Sequence, residues 1–127
     1  MLNAPDAANL LTIARETLLK SLLPMLPSDA RYPALMIANA MAVAGRETAQ
    51  REASNAAELA AFEEFYGEAL TRGDPQERLL EFNRRLARDA RVGRFEGSGE
   101  MELRALLERQ VRARLKVSNP KCLARCP

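Results

Sequence analysis

Apolar residues recur at helical spacing along almost the whole chain, and turn residues divide this pattern into five segments. In the first segment the apolar positions follow a three-and-four spacing that ends at Pro24 and Pro27. These positions are Leu10, Leu11, Ala14, Leu18, Leu22 and Leu26. The spacing predicts a first helix that begins near Pro5 and buries one stripe of side chains.

The second segment is apolar on nearly every side. A second helix is predicted to open at Ser28 or Asp29 and to run to about Arg51. Within residues 34–45, Asn39 is the one side chain that carries a polar group. A helix that is apolar all round is normally surrounded by other helices. We therefore expect this helix at the centre of the fold, with the Asn39 amide inside the core.

The third and fourth helices are predicted from their start signals. Asn55 followed by Glu58 resembles a capping box, so a third helix is expected to start there and to end at Arg72-Gly73. Asp74-Pro75 combines an N-cap residue with proline at the first helical position, which is the clearest helix start in the chain. The inward positions of these helices are Leu59, Phe62, Phe65 or Tyr66, Leu70, Leu79, Phe82 and Leu86.

The last helix is predicted over about residues 100–117. Asn119-Pro120 stops it, because the residue before a proline avoids the helical region. Its inward positions are Leu103, Leu106 or Leu107, Val111 and Leu115. The predicted fold is therefore all-α: a single compact bundle of about five helices with the second helix central. One domain is expected to cover residues 1–127, with 118–127 as a loosely ordered tail.

Composition argues against the commonest enzyme sites. The chain of 127 residues contains no histidine, which removes the usual general base and the usual metal ligand. Gly93, Gly97 and Gly99 lack the spacing and the preceding strand of a phosphate-binding loop. We therefore expect no catalytic residues and no cofactor, and hence a protein that is not an enzyme.

Two groups of residues are candidate metal ligands. The acidic residues Glu58, Glu63, Glu64 and Glu68 favour a solvated helix face over a cation site, because no Glu-x-x-His motif accompanies them. Cys122 and Cys126 are expected to be reduced thiols, because a closed zinc site would need further ligands from a second subunit. No metal site is therefore predicted.

Charge is distributed unevenly along the chain. Residues 1–83 carry 7 basic and 12 acidic side chains, whereas residues 84–127 carry 12 basic and 5 acidic ones. The basic helices could follow nucleic-acid phosphates, but acids are interleaved and stacking aromatics are scarce, which makes nucleic acid the less favoured partner. Solvated faces with salt links to a partner are favoured, and the apolar helices with this uneven charge suggest a homo-oligomer, most simply a dimer.

Asn39, Arg46 and Glu47 form the candidate site in the second helix. Asn39 and Arg46 lie seven positions apart and therefore on one side of the helix. Either these residues form a structural polar link to the end of another helix, or they line a small pocket for an anionic ligand. The spacing alone leaves both alternatives open.

No segment suggests transport across a membrane or insertion into one. The first residues lack the basic region and apolar run of a secretory signal, and no apolar stretch reaches the length of a membrane span. We therefore expect a cytoplasmic protein.

Short motifs at three places resemble a bacterial family of small all-helical domains of unknown function. They are Ala38-Asn39-Ala40-Met41, Arg46-Glu47 and the stretch that closes with Asn119-Pro120. Members of that family are often encoded beside aminoglycoside-phosphotransferase-like kinases and acyl-CoA dehydrogenases, so the resemblance implies an accessory role with such an enzyme as partner. The chain departs from the pattern at Tyr32-Pro33, where relatives tend to have a histidine.

These observations lead to three functional hypotheses. The first is a non-enzymatic helical module that associates with itself and with a kinase-like or acyl-CoA-handling enzyme. The second is a small-molecule binding or enzymatic domain that uses the region of Asn39 and Arg46. The third is nucleic-acid binding through the basic C-terminal helices.

Overall fold

Five α-helices make up the fold of the part of the chain that the computed structural model describes, residues 6–68 and 73–125. They are α1 (Ala7–Thr17), α2 (Ser28–Tyr66), α3 (Pro75–Arg91), α4 (Glu100–Ser118) and α5 (Pro120–Arg125). No strand occurs in these ranges, so the predicted all-α class and the number of helices are confirmed. The expectations placed on Pro5, Leu70, Arg72 and Cys126 concern residues outside the described ranges.

Helix α2 is one uninterrupted helix of 39 residues, so the predicted break between Arg51 and Asn55 is wrong. The cap-like residues are ordinary interior positions, because this stretch contains no proline or glycine and is rich in alanine, the best helix former. Helix α4 also packs on α2 at both sides of the expected break. Two of the predicted helices are thus one helix. The total number of helices in the described residues is still five, because a short helix that was not predicted, α5, forms within the expected tail.

The central position of α2 is confirmed by its contacts. It packs against α1, α3 and α4. Helix α1 contacts the first half of α2, whereas α3 and α4 contact the second half. Helix α4 runs antiparallel to α2, because Gln110 lies beside Glu58 and Val117 lies beside Arg46.

The chain between α1 and α2 passes from α-helix through a π-helical turn and then a 3₁₀ turn that contains Pro24. Asp6 caps α1 by accepting a hydrogen bond of 2.9 Å from the backbone N–H of Asn9. After Thr17 the chain continues as a π-helical turn (Leu18–Leu22) and a 3₁₀ turn (Leu23–Met25). Pro24 has no N–H to donate to the preceding turn, so a regular α-helix cannot continue through it. The regular α-helix thus ends earlier than predicted, at Thr17, and the helical turns that follow it end at Met25, between the two prolines.

The hydrophobic core lies in the C-terminal half of the molecule. Its buried residues are Leu59, Phe62, Leu79, Phe82, Leu86 and Leu106. The rings of Phe62 and Phe82 stack face to face with centroids 5.0 Å apart. The inward positions predicted for α3 are therefore confirmed, as are Leu59, Phe62 and Leu106, whereas the inward position predicted for Val111 is wrong because its side chain is exposed.

The N-terminal half has hardly any core. Ala34 and Ala38 are buried in α2, but no residue of α1 is buried. The predicted buried stripe of the first helix is therefore wrong: Leu10, Ala14 and Leu22 are exposed. Among the described helices, α2 makes the main contact with α1, and it covers only a narrow strip of the α1 surface.

The end of α4 is followed at once by α5. Asn119 separates the two helices, and its side-chain oxygen accepts a hydrogen bond of 3.2 Å from the backbone N–H of Cys122. Asn119-Pro120 therefore ends one helix and begins the next.

The described helices include none that is long and apolar enough to cross a membrane.

Candidate interaction surface

The structure places the three predicted site residues on α2 without bringing them together. Asn39 is exposed, so the expectation of a buried amide is wrong and water can satisfy its hydrogen bonds. Glu47 is also exposed and pairs with Arg51 one turn further on, at 3.2 Å. Arg46 alone reaches another helix.

Arg46 connects the middle of α2 to the end of α4. Its Nε donates a hydrogen bond of 2.7 Å to the backbone carbonyl of Val117, in the last turn of α4. Carbonyls at a helix C-terminus lack partners within the helix and carry partial negative charge, so a guanidinium is a suitable donor. Arg46 thus has a structural contact of the kind that one of the two alternatives for this site requires.

A groove on one side of the α1–α2 pair has two arginines in its lining. Its volume is about 350 Å³, and Arg46 and Arg15 lie along it with Thr12 and Glu16. Arg15 Nε donates a hydrogen bond of 3.1 Å to the carbonyl of Ala38. Each arginine is thus held through Nε, and its terminal NH₂ groups make no ion pair with a described residue.

The acidic residues in the second half of α2 and just after its end face separate polar partners rather than one another. Glu63 pairs with Arg78 at 2.9 Å, and Glu68 accepts two hydrogen bonds from Arg85, at 2.9 and 3.0 Å. Gln110 lies 3.5 Å from Glu58. Across residues 6–68 and 73–125, no three cysteine or acidic residues lie close enough to hold a metal ion.

A polar network that the sequence did not predict joins α2 to the end of α3. Tyr66 donates a hydrogen bond of 2.9 Å from its hydroxyl to Asp89, which is only 9% exposed. Arg94 pairs with the same carboxylate oxygen at 3.2 Å. The guanidinium of Arg85 lies 4.0 Å from the centroid of the Tyr66 ring. The polar groups of Tyr66, Asp89 and Arg94 therefore bond to one another within this network.

Burial and the carboxylate of Asp89 together change the acidity of Tyr66. Burial, followed by the hydrogen bond to Asp89, raises the pKa of Tyr66 to about 12. The hydrogen bonds from Arg85 lower the pKa of Glu68, because they favour its charged form. Tyr66 therefore stays protonated at neutral pH, and its role in the network is that of a hydrogen-bond donor.

Large apolar side chains are exposed over the whole N-terminal half. We call this set the N-terminal apolar surface: it consists of Leu10, Ile13, Leu22, Met25, Tyr32, Leu35, Met36 and Ile37. Tyr32 is 71% exposed and Met25 is 80% exposed. Each of these eight side chains is about half exposed or more.

The N-terminal apolar surface corresponds to the segment that the sequence marks as apolar on every side. Leu35, Met36 and Ile37 point in three different directions around α2, because successive residues are about 100° apart. All three are about half exposed, since α1 covers only the side that contains Ala34 and Ala38. The expectation that other helices surround this segment is therefore wrong for the single chain.

The fold and this surface define a small all-helical domain with an uncovered apolar half. Residues 24–122 match the model of a family described as a domain of unknown function, DUF6285. Because the match covers most of the chain, the protein belongs to this family, which agrees with the resemblance to a family of unknown function. Comparisons with curated proteins and with solved structures found no match.

Proposed function

We propose that the protein is a non-enzymatic helical accessory module that acts by binding other proteins. The N-terminal apolar surface is the observation that carries this proposal. Large apolar side chains that are exposed close together are typical of protein-binding sites. Tyrosine and methionine, which contribute its most exposed side chains, are also enriched in the centres of protein interfaces.

The C-terminal half supports the proposal because its groups are already used within the fold. Its buried apolar side chains form the core, and the Asp89 carboxylate is shared between Tyr66 and Arg94. This half therefore has the properties of a stable scaffold. Among the described residues, the N-terminal half exposes eight large apolar side chains and the C-terminal half five, and the larger set is the one that we propose a partner buries.

The finer part of the proposal concerns the partner and the compartment. The resemblance noted for the sequence points to a kinase of the aminoglycoside-phosphotransferase type or to an acyl-CoA dehydrogenase. We propose such an enzyme as the partner, in the cytoplasm. The part of the surface nearest the α1–α2 connection, which contains Tyr32 and Met36, is the region we assign to it.

Co-elution in size-exclusion chromatography tests this function. The purified chain would be mixed with a purified kinase or dehydrogenase of these classes from the same organism. We expect a complex with the wild type and none with a Tyr32→Glu, Met36→Glu double variant, because each carboxylate would be buried without a partner. Leu107→Glu with Val111→Glu is the matched control, since both residues are exposed apolar positions on α4.

The control variant should bind as the wild type does. Absence of a complex with either enzyme class would overturn the proposed partner. Equal loss of binding in the control would show that general hydrophobicity, rather than the N-terminal apolar surface, is responsible.

The α1–α2 groove supports a second candidate function, the binding of an anionic small molecule. Arg15 and Arg46 line the groove, and their terminal NH₂ groups are available to a phosphate or carboxylate. A thermal-shift measurement with inorganic phosphate and with acetyl-CoA tests it. We expect a ligand-dependent increase in Tm that Arg15→Gln abolishes and that Arg51→Gln, at an exposed position, retains. No increase with either ligand would exclude this function for these two probes.

A further inference from the structure

We infer that a second copy of this chain binds the side of the α1–α2 pair that is opposite to the arginine-lined groove. This inference rests on the proposed function, because it assigns a partner to one part of the N-terminal apolar surface. We call this part the hairpin face: it consists of Leu10, Ile13, Ala14 and Ile37. Two copies joined through it would form a four-helix arrangement of two α1 and two α2 helices.

The register of the two helices places the hairpin face on one side of the pair. Helices α1 and α2 are antiparallel, since Leu11 lies against Gly45 whereas Arg15 reaches Ala38. Thr12 and Arg46 both line the groove on one side of this contact.

Leu10 and Ile37 lie on the opposite side of the same contact. At 100° per residue, Leu10 is about 160° from Thr12 around α1, and Ile37 is about 180° from Arg46 around α2. Leu10, Ile13 and Ile37 are each more than half exposed, so they form a side of the pair that no described element covers.

The composition of the hairpin face suits a copy of itself. The helical positions that make up its centre are apolar, and the charged residues Arg15, Glu16 and Arg46 lie on the groove side. In a two-fold symmetric dimer the same patch meets itself, so a patch with charge of one sign would repel its copy. An uncharged apolar face avoids this repulsion. It therefore fits a second copy better than it fits a strongly acidic or basic partner.

The size of the hairpin face agrees with a reversible dimer. Three large side chains at about half exposure, with the exposed Ala14, Thr17 and Ala40 beside them, offer roughly 500 Å² per copy, or about 1,000 Å² in total. This total is near the lower limit of specific interfaces. We therefore expect a dimer that dissociates on dilution. Its formation would also give the apolar segment of α2 the neighbours that its sequence predicts.

Sedimentation equilibrium of the full chain over a range of concentrations tests the inference. We expect a monomer–dimer equilibrium in the wild type and at least about tenfold weaker association in an Ile13→Glu, Ile37→Glu variant, because the dimer would bury unpaired carboxylates. Thr12→Glu with Asn39→Glu is the matched control. It adds the same charge to exposed positions of the same helices, but on the groove side. Circular dichroism would verify that both variants are folded.

Two results would overturn the inference: a wild type that stays monomeric at every concentration, or a dimer that persists in the Ile13→Glu, Ile37→Glu variant. Equally weak association of the control variant would also overturn the inference, because the added charge would then act without regard to the side of the helix pair. A monomeric chain that still loses its enzyme partner through Tyr32→Glu and Met36→Glu would leave the proposed function intact. The two proposals therefore fail on different variants.

Discussion

Tyr66 and Asp89 are joined by a hydrogen bond of 2.9 Å between the hydroxyl and the carboxylate, across the junction of α2 and α3. The two residues are far apart in sequence, and Asp89 is nearly buried. A buried carboxylate needs such donors, because an unpaired charge in this environment is strongly unfavourable. Their contact is thus one of the polar bonds that hold the end of α3 to the long helix.

Tyr66→Phe is expected to lower the free energy of unfolding by about 1–2 kcal/mol, since it removes one donor to a charged acceptor and leaves Arg94 in place. Urea unfolding measures the change. Tyr32→Phe is the control, because the Tyr32 side chain is 71% exposed, and it should change stability very little. An equal effect of the two substitutions would contradict the role given to the hydrogen bond.

Stability is expected to decrease in alkaline solution because of Tyr66. Its pKa rises from the ordinary value of 10.0 to about 12, so the folded state holds this proton more tightly than the unfolded chain. The corresponding stabilisation is complete below pH 10 and is lost as the pH rises from about 10 to about 12. Tyrosinate absorbance in a Tyr32→Phe background would follow Tyr66 alone. Asp89→Asn should bring the measured pKa back toward 10, and an unchanged pKa would contradict this assignment.

Arg46 is expected to stabilise the contact between α2 and α4. Arg46→Ala should reduce the free energy of unfolding by about 1.5–3 kcal/mol, the range for hydrogen bonds that involve charged groups. Arg51→Ala, which removes an exposed pair with Glu47, should cost no more than about 0.5 kcal/mol. Chemical denaturation of both variants makes the comparison. Equal values would mean that the bond to Val117 contributes nothing to stability.

Sensitivity to truncation should be concentrated in the C-terminal half. Phe82→Ala is expected to cost about 3–5 kcal/mol, because it leaves a cavity beside Phe62. If that variant does not fold, Phe82→Leu provides a milder measurement. Ile37→Ala, at a half-exposed position, should cost less than about 1 kcal/mol when measured at a concentration where the chain is monomeric. Thermal unfolding would rank the three variants by their loss of stability. A larger loss in Ile37→Ala than in the Phe82 variants would contradict the location of the core.

The continuity of α2 predicts a long distance between its ends. Spin labels at the exposed positions Arg31 and Glu64 should lie about 50 Å apart along the helix, from a rise of 1.5 Å per residue. Labels at Arg31 and Glu52 should give about 32 Å and serve as an internal reference. Double electron–electron resonance measures both. A markedly shorter first distance with an unchanged second one would show a break near Asn55.

The sequence was sufficient where a local signal determines the structure. Asp74-Pro75 predicted the start of α3, and the spacing of Leu79, Phe82 and Leu86 predicted its buried side. The helix start predicted from Asn55 and Glu58 is wrong, because these residue types are also compatible with the interior of a helix. In that case the packing of α4 along α2, which depends on distant residues, decides the outcome.

The site residues show the same limit. Asp89 follows Phe82 and Leu86 on one helical face, so an acid on an apolar stripe was a visible signal, but its partner Tyr66 could not be inferred from spacing. The spacing of Asn39 and Arg46 predicts one side of their helix, but the exposure of Asn39 depends on which helices pack around it. Spacing defines the faces of a helix, but not the neighbours of each face.

The uninterrupted length of α2 has a mechanical consequence. Ala38, beside the hairpin face, and Phe62, in the core, lie about 36 Å apart on one helix. With no hinge between them, a partner bound near Ala38 keeps a constant distance and orientation relative to the core. The protein would then act as a rigid spacer, and a rotation of one end of α2 would move the other end with it.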